Sequence, residues 1–290
     1  MKIAGFSFIR NAEMYDYPIV EAIQSILPIC EKVYVAVGKS DDNTYEIVQN
    51  IDNQKIKIIS TVWDEALREG GKVLASETNK AFQAVPDDYD WCFYIQGDEV
   101  FHENGLDVIW NCMQKELHNK MVEGFLVDYL HHYGSYDYVA TSRNWYRREI
   151  RVIRNNKNII SWKDAQGFRW NNGKKLIVKH SRCTMHHYGW VKSPEKQLLK
   201  QKNFNKYWHS DEWIQQHVPN ETFDYSGIDK LELYRGTHPK VMQSRILQKN
   251  WKFEHDLSKD RRNLKTKCLD FIEKVTGKRL FEYKNYILIE

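Results

Sequence analysis

Along the first hundred residues, short unbroken apolar runs alternate with segments whose apolar positions recur every three or four residues. Residues 2–9, 33–37, 56–62 and 90–95 are the unbroken runs, and they read as strands buried on both faces of a sheet. Val20, Ile23, Ile26 and Leu27 recur at helical spacing and Pro28 closes the run, so a helix is expected there. Further helices are expected over 41–50, with Ser40 or Asp41 as N-cap, over 72–84, and from Asn104 or Gly105 to about His118. Strand and helix alternating at this spacing indicate βαβ units and a mostly parallel sheet. In such sheets ligands bind beyond the carboxyl ends of the strands. Polar clusters stand at those ends: Arg10-Asn11 after the first strand, Ser40-Asp41-Asp42 after the second, and Gln96-Gly97-Asp98-Glu99 after the fourth.

The pattern changes after residue 123. Residues 125–131, 145–154 and 184–188 read as strands separated by Gly/Asn loops. Beyond Ser193 the chain turns Lys-rich and helical, with Ser193-Pro194-Glu195 as N-cap, N1 and N2 of a helix. Two more helices are expected over 240–255 and 259–275. No internal repeat and no low-complexity linker interrupts the chain. The expected organisation is one continuous α/β domain over 1–192, with a basic helical C-terminal extension over 193–290 packed on it.

Composition narrows the class. The chain has 290 residues, 42% of them hydrophobic and 28% charged, an ordinary globular balance that excludes a disordered chain. No stretch approaches the ~18 consecutive apolar residues of a membrane span. The opening MKIAGFSFIRNAE lacks the apolar core and cleavage site of a signal peptide, so none is expected. Five scattered cysteines without a C-x-x-C suggest free thiols in a reducing compartment, and a cytoplasmic location is expected. Net charge is only +4, but it is divided unevenly. Residues 1–145 carry 12 Lys/Arg against 23 Asp/Glu, a net of −11, and residues 146–290 carry 31 against 16, a net of +15. The basic half suits an anionic partner. Acidic residues are mixed into it and no recognition motif appears, so no nucleic-acid partner is expected. A peripheral position on an anionic membrane surface is the better use of that charge.

Two familiar phosphate signatures are absent. Gly38-Lys39-Ser40 resembles the end of a P-loop, but the glycine required five positions earlier is Val33, and no G-x-G-x-x-G follows the first strand. Gln96-Gly97-Asp98-Glu99 is more informative. Carboxylates at the abrupt end of a buried strand can hold a hard cation such as Mg²⁺ or Mn²⁺ together with substrate phosphates, and Gly97 lets a ligand approach the backbone. In His186-His187-Tyr188-Gly189-Trp190, adjacent residues of a strand face opposite ways, so only one histidine can serve a given site. His131-His132 has no partner motif and reads as structural.

Taken in order, strand, R-N-A-E, helix, strand, S-D-D-N-T, helix, strand, a helix with A-x-x-T-N-x-A, strand and Q-G-D-E-V resemble a family-2 glycosyltransferase of the GT-A fold. The resemblance covers about residues 1–103, with H-H-Y-G-W-V-K-S-P-E-K-Q in support. It is to the subgroup with an A-D-E-V acidic motif and a later H-Y-G-W strand. The resemblance implies a nucleotide-diphosphate sugar donor, a glycan or lipid-linked acceptor, a divalent metal (Mn²⁺ or Mg²⁺) and an inverting transfer assisted by a carboxylate base. It places Phe8, Arg10 and Asn11 at the nucleotide, Gly38 where the family has an Asp that binds base or ribose, Asn79 on the helix facing the nucleotide, and Lys72 near phosphate. Asp42 has a helix-starting role. The family's D-x-D becomes Gln96-Gly97-Asp98, with Asp98 retained as the metal ligand and Gln96 able only to hydrogen-bond. His187 matches the histidine that completes the metal or pyrophosphate site. The base is expected at Asp164, in S-W-K-D-A-Q-G-F-R-W, with Glu149 and Glu195 as rivals. The departures at Gly38 and Gln96 support a competing reading, a non-catalytic nucleotide- or sugar-binding protein that kept the fold.

Overall fold

A computed structural model describes residues 1–52, 54–67, 69–218 and 221–290. The strands and helices, in chain order, are β1 (Ile3–Ile9), α1 (Ile19–Ile26), β2 (Lys32–Gly38), α2 (Thr44–Gln49), β3 (Ile56–Thr61), α3 (Lys72–Gln83), β4 (Trp91–Tyr94), β5 (Glu99–Phe101), α4 (Leu106–Lys115), β6 (Gly124–Tyr133), β7 (Ser135–Ala140), β8 (Arg148–Arg154), β9 (Ile159–Trp162), β10 (Gly167–Trp170), β11 (Leu176–Trp190), α5 (Pro194–Phe204), α6 (Asp211–His217), β12 (Leu231–Leu233), α7 (Gln243–Leu247), α8 (Leu264–Thr276) and β13 (Tyr286–Leu288). The first four strands expected from the apolar runs all form. They lie in the order β3-β2-β1-β4, parallel throughout. From β4 the sheet continues through β8, antiparallel to it, and on to β6, which pairs β11 in parallel.

The apolar runs are unbroken because both faces of this sheet are covered. Ile3 and Ile9 of β1 face a layer built from α1 and α4, while Ala4 and Phe6 face the layer of α3, β9 and β10. Alternate residues of one strand thus feed two cores, giving an α/β sandwich of three layers.

Two differences from the sequence reading stand out. The helix expected over 240–255 is reduced to α7, five residues long, because the chain beyond it makes side-chain packing contacts rather than helical turns. Trp251, for example, donates its indole N–H to the Gly134 carbonyl (2.8 Å). The C-terminal extension also returns to the sheet: β12 pairs β7, and β13 pairs β11 in parallel. Among the described residues no helix is long and apolar enough to cross a membrane.

One buried ion pair ties the functional rim together. Arg151 of β8 and Glu99 of β5 are both fully buried. Arg151 donates Nε to Glu99 Oε2 (2.9 Å) and Nη2 to Oε1 (2.7 Å), the Tyr129 hydroxyl adds a hydrogen bond to Oε1 (2.6 Å), and Arg151 Nη1 reaches the carbonyls of Ile150 (2.9 Å) and Gln166 (3.0 Å). Removing one partner strands a buried charge, at a cost of about 3–5 kcal/mol. Arg151→Met is therefore expected to lower the unfolding free energy by about that amount in a denaturant titration. A loss under about 1 kcal/mol, the range of an exposed pair, would show that the pair is not what holds the rim.

Candidate functional site

Beyond the carboxyl ends of β1 and β4 lies a cavity of about 250 Å³. Phe8, Arg10 and Trp63 form one wall, Tyr207, Phe204 and Lys200 another, and Asp98, His187 and Asp164 project into it. Of the residues singled out from the sequence, Phe8, Arg10, Gln96, Gly97, Asp98, Asp164 and His187 line this cavity. The others do not.

Asn11 is buried and braces two loops: its amide N–H donates to Ser40 Oγ (3.0 Å) and its Oδ1 accepts from the Asp41 amide (2.8 Å). Asn79 accepts from the Ser161 amide (2.8 Å) and so ties α3 to β9. Lys72 is exposed and paired with Glu69 (2.8 Å). Gly71 before it serves close packing. Gly71 sits at φ +66, and a Cβ there would lie 2.6 Å from the Asp164 Cβ and 2.7 Å from the Trp208 ring. Gly38 likewise makes room, since a Cβ would lie 2.4 Å from Trp63 Nε1. Asp42 accepts from the Thr44 amide (3.0 Å) and starts α2. Among the rival carboxylates, Glu195 is exposed near the start of α5, and Glu149 is buried behind the cavity wall.

Asp98 and His187 are brought together by strand register. β5 pairs antiparallel with β11 so that Glu99 stands opposite His187, and the Tyr188 amide donates to the Asp98 carbonyl (2.8 Å). His187 Nε2 then lies 3.7 Å from Asp98 Oδ2. The next residue back, His186, faces the other side of the sheet. Its Nδ1 meets His132 Nε2 at 3.0 Å with ring centroids 5.2 Å apart and planes 16° apart. That is an in-line hydrogen bond. Although His238 lies nearby, the ring nitrogens of His132 and His186 point at each other rather than at a common metal.

The tautomer of His187 follows from its neighbour. His131 Nε2 is 2.6 Å from the Tyr146 carbonyl, which can only accept, so His131 Nε2 carries the proton. Burial and the adjacent His187 push His131 down to about 3, which keeps it neutral with a free lone pair on Nδ1. That lone pair faces His187 Nδ1 at 3.2 Å, so His187 Nδ1 donates and its Nε2 is turned toward Asp98. A carboxylate oxygen and an imidazole nitrogen 3.7 Å apart are two atoms that a divalent cation could share. The cation beside them here is the Lys200 ammonium, 3.1 Å from Asp98 Oδ2 and 2.9 Å from the Gly189 carbonyl. Burial alone pushes the Asp98 carboxyl up, but the Lys200 ammonium outweighs it and holds Asp98 well below the usual carboxylate range. Behind them the fully buried Lys192 donates to the Asp16 carbonyl (2.7 Å), and burial together with Lys200 pushes its ammonium down to about 7. The donor set thus fits a divalent cation, with one carboxylate and one imidazole and the Lys200 ammonium beside them.

Asp164 sits in a strained turn. Lys163 and Ala165 on either side both have positive φ, +55° and +65°. The turn is held from the Asp98 loop, because Gln96 Nε2 donates to the Ala165 carbonyl (3.1 Å). Burial pushes the Asp164 carboxyl up. Arg151, Lys200, Lys192 and His131 are functional-site residues that the sequence reading missed. Each has a partner more than fifty positions away, Glu99 for Arg151, Asp98 for Lys200, Asp16 for Lys192 and His187 for His131. The local signal was the noted H-Y-G-W-V-K-S-P-E-K-Q, which contains Lys192 and ends three residues before Lys200.

No family model matches the chain, and no curated protein matches it. Solved structures do show likeness. One is Staphylococcus aureus TarS 1-349 in complex with UDP-GlcNAc, at 18% identity and TM-score 0.34, covering 46% of this chain and 36% of that one. Another is S. aureus TarS, at 13% identity and TM-score 0.41, covering 76% and 41%. A third is Mycobacterium tuberculosis glucosyl-3-phosphoglycerate synthase in complex with Mn²⁺, UDP and glucosyl-3-phosphoglycerate, at 16% identity and TM-score 0.30, covering 46% and 45%. The chain spans less than half the length of each of these proteins.

Behind the cavity, burial pushes the Glu149 carboxyl up to about 8, with Glu99 and Asp164 reinforcing it and Arg151 opposing. An acid whose pKa is higher folded than unfolded binds its proton more tightly in the folded state. Its contribution to stability is full below the unfolded value of about 4.5 and declines as pH rises through 8. Relative to Glu149→Gln, which mimics the protonated acid, the wild-type protein is expected to lose on the order of a few kcal/mol between about pH 5 and pH 8 in urea titrations. Parallel pH curves for the two proteins would show that Glu149 ionises normally.

Proposed function

We propose that the protein is a glycosyltransferase that moves a sugar from a nucleoside-diphosphate sugar to an acceptor hydroxyl with inversion. The observation that carries this reading is the pairing of Asp98 with His187 Nε2 beside Lys200, at the strand-end rim of a parallel sheet and inside an aromatic-walled cavity. The rim position and the aromatic walls suit a nucleotide. Phe8, Trp63 and Tyr207, whose ring centroids follow one another at 5.9 and 5.6 Å with planes tilted by 52° and 49°, offer apolar surface to a base or sugar, and Arg10 lies over Trp63.

Asp98 and His187 are the residues that would hold the divalent cation. Bound there, Mn²⁺ or Mg²⁺ supplies positive charge against the growing charge of the diphosphate leaving group. Lys200 is placed to exchange Asp98 for a phosphate oxygen as the donor arrives, and its fixed ammonium stabilises the leaving group in a site screened from water. Asp164, across the cavity, takes the proton of the acceptor hydroxyl as that oxygen attacks the anomeric carbon. Its raised pKa suits this task, whereas Glu149 is behind the wall and Glu195 is exposed outside it.

The competing reading, a binding protein that kept the fold, rested on Gln96 and Gly38. Both have positional reasons. Gln96 tethers the Asp164 turn, which an acid could not do by donating an N–H, and Gly38 leaves space for Trp63. Neither departure removes a group that the chemistry needs.

Thermal melting against UDP-, GDP-, CDP- and TDP-sugars, each with Mn²⁺ or EDTA, tests the donor site. One nucleotide class is expected to stabilise the protein in a metal-dependent way, by about 2.7 kcal/mol at a hundred times its Kd. Asp98→Asn should erase the metal-dependent part. Asp164→Asn should keep the nucleotide shift and lower release of nucleoside diphosphate from the donor by about 10²–10⁴-fold. Stabilisation without any turnover in the wild-type protein, across acceptors, would favour the binding module. No stabilisation by any nucleotide would overturn the donor site.

A further inference from the structure

The helix α8 is amphipathic the wrong way round for a soluble surface. None of its residues is buried. Its inward face mixes half-buried Leu269 and Ile272 with ion pairs: Glu273 accepts from Arg143 Nη1 (2.6 Å) and Arg147 Nη1 (3.2 Å), and Asp270 pairs with Arg262. Its apolar stripe points outward. Leu264, Cys268, Phe271 and Val275 follow one another at spacings of four, three and four, which places them on one face, and Leu264, Phe271 and Val275 are 77%, 67% and 67% exposed. The turn after the helix continues the stripe. Gly277 ends α8 in the left-handed conformation, and Phe281 is 90% exposed at a φ of +59. An aromatic residue held in a left-handed conformation and left in water has no explanation in the packing of this chain.

The charges around the stripe indicate what covers it. Lys265, Lys267, Lys274 and Lys278 are all exposed and flank it, while the acidic residues of this segment, Asp270, Glu273 and Glu282, are engaged by arginines on the protein side. A second copy of the chain would set one lysine rim against another. An anionic bilayer satisfies both parts, taking the apolar side chains at the boundary of headgroups and acyl chains and the lysines at the phosphates.

We propose that α8 and the turn over 277–283 dock the protein on an anionic lipid bilayer, with Leu264, Phe271, Val275 and Phe281 inserted and the lysine rim on the headgroups. The docking stands on this surface alone. Its consequence for the acceptor rests on the transferase reading. Lys265, Leu269 and the segment 279–283 also line a second cavity, of about 370 Å³, which shares Trp145, Tyr146 and Gln166 with the donor cavity. A docked molecule therefore presents that cavity beside the bilayer, where an acceptor carried on a lipid would enter and reach Asp164.

The test is co-flotation of the whole protein with vesicles of phosphatidylcholine, with and without phosphatidylglycerol. The wild-type protein is expected to float with the anionic vesicles, to do so at least about ten-fold less with neutral ones, and to be released by high salt. Phe271→Ser with Phe281→Ser should abolish flotation, and Lys274→Glu with Lys278→Glu should abolish the preference for anionic lipid. Both variants should keep the wild-type circular dichroism and donor-induced melting shift, which separates failure of docking from failure of the donor site. Overturning results are a wild-type protein that does not float, flotation that survives the paired serine substitutions in the folded variant, or a dimer in sedimentation that those substitutions dissociate.

Discussion

Everything at the functional rim is referred to one buried ion pair. Glu99 and Arg151 lie at the centre of the sheet with essentially no solvent exposure. A pair so buried gains little net stability over apolar side chains of similar size, since desolvation offsets most of the Coulombic attraction. Its use lies in direction. Glu99 Oε2 also accepts from the Gln96 amide (3.1 Å), which fixes the turn that presents Asp98. Arg151 reaches the Gln166 carbonyl, which fixes the turn that presents Asp164. The turns of Asp98 and Asp164 are thereby set by two ends of the same hydrogen-bonded unit, and Gln96 closes the link by donating to Ala165.

The electrostatics of the cavity follow from what surrounds Asp98. A single ionised carboxylate is met by Lys200, with His187 alongside and Lys192 behind it. Two carboxylates line the cavity, Asp98 and Asp164, and two cations, Arg10 and Lys200, balance them, with Lys192 as a further basic group behind. The lysines come from the basic second half of the chain and Asp98 from the acidic first half. The split in charge along the sequence is thus partly resolved at the site itself. The rest of the basic excess lies at the surface, most visibly along α8.

How much of this could be read in advance depended on range. The strands β1 to β4 follow from unbroken apolar runs, and their carboxyl ends from the polar residues that stop them, so Asp98 was legible. His187 could be chosen over His186 only by resemblance, since alternation says that one of them faces a site but not which one. Lys72 and Asn79 were placed at the nucleotide by resemblance, and they instead pair with Glu69 and with the Ser161 amide. Gly71, next to Lys72, answers to the approach of Asp164 across more than ninety residues. His131 looked structural because its partner is fifty-six positions away. The short strands β9, β10, β12 and β13 carry too few residues for a periodic signal, and the segment after α7 has helical composition but tertiary contacts that forbid the helix.

The central claim is that Asp98 and His187 form one cation site, held in place by Glu99 and Arg151, for the diphosphate of a donor. A crystal structure grown with Mn²⁺ and the nucleoside diphosphate that stabilises the protein tests it most directly. The account predicts a metal bonded to the Asp98 carboxylate and His187 Nε2, with Lys200 turned from Asp98 to a phosphate oxygen. A diphosphate bound in the cavity while Lys200 stays on Asp98 and the metal is absent or elsewhere would contradict it.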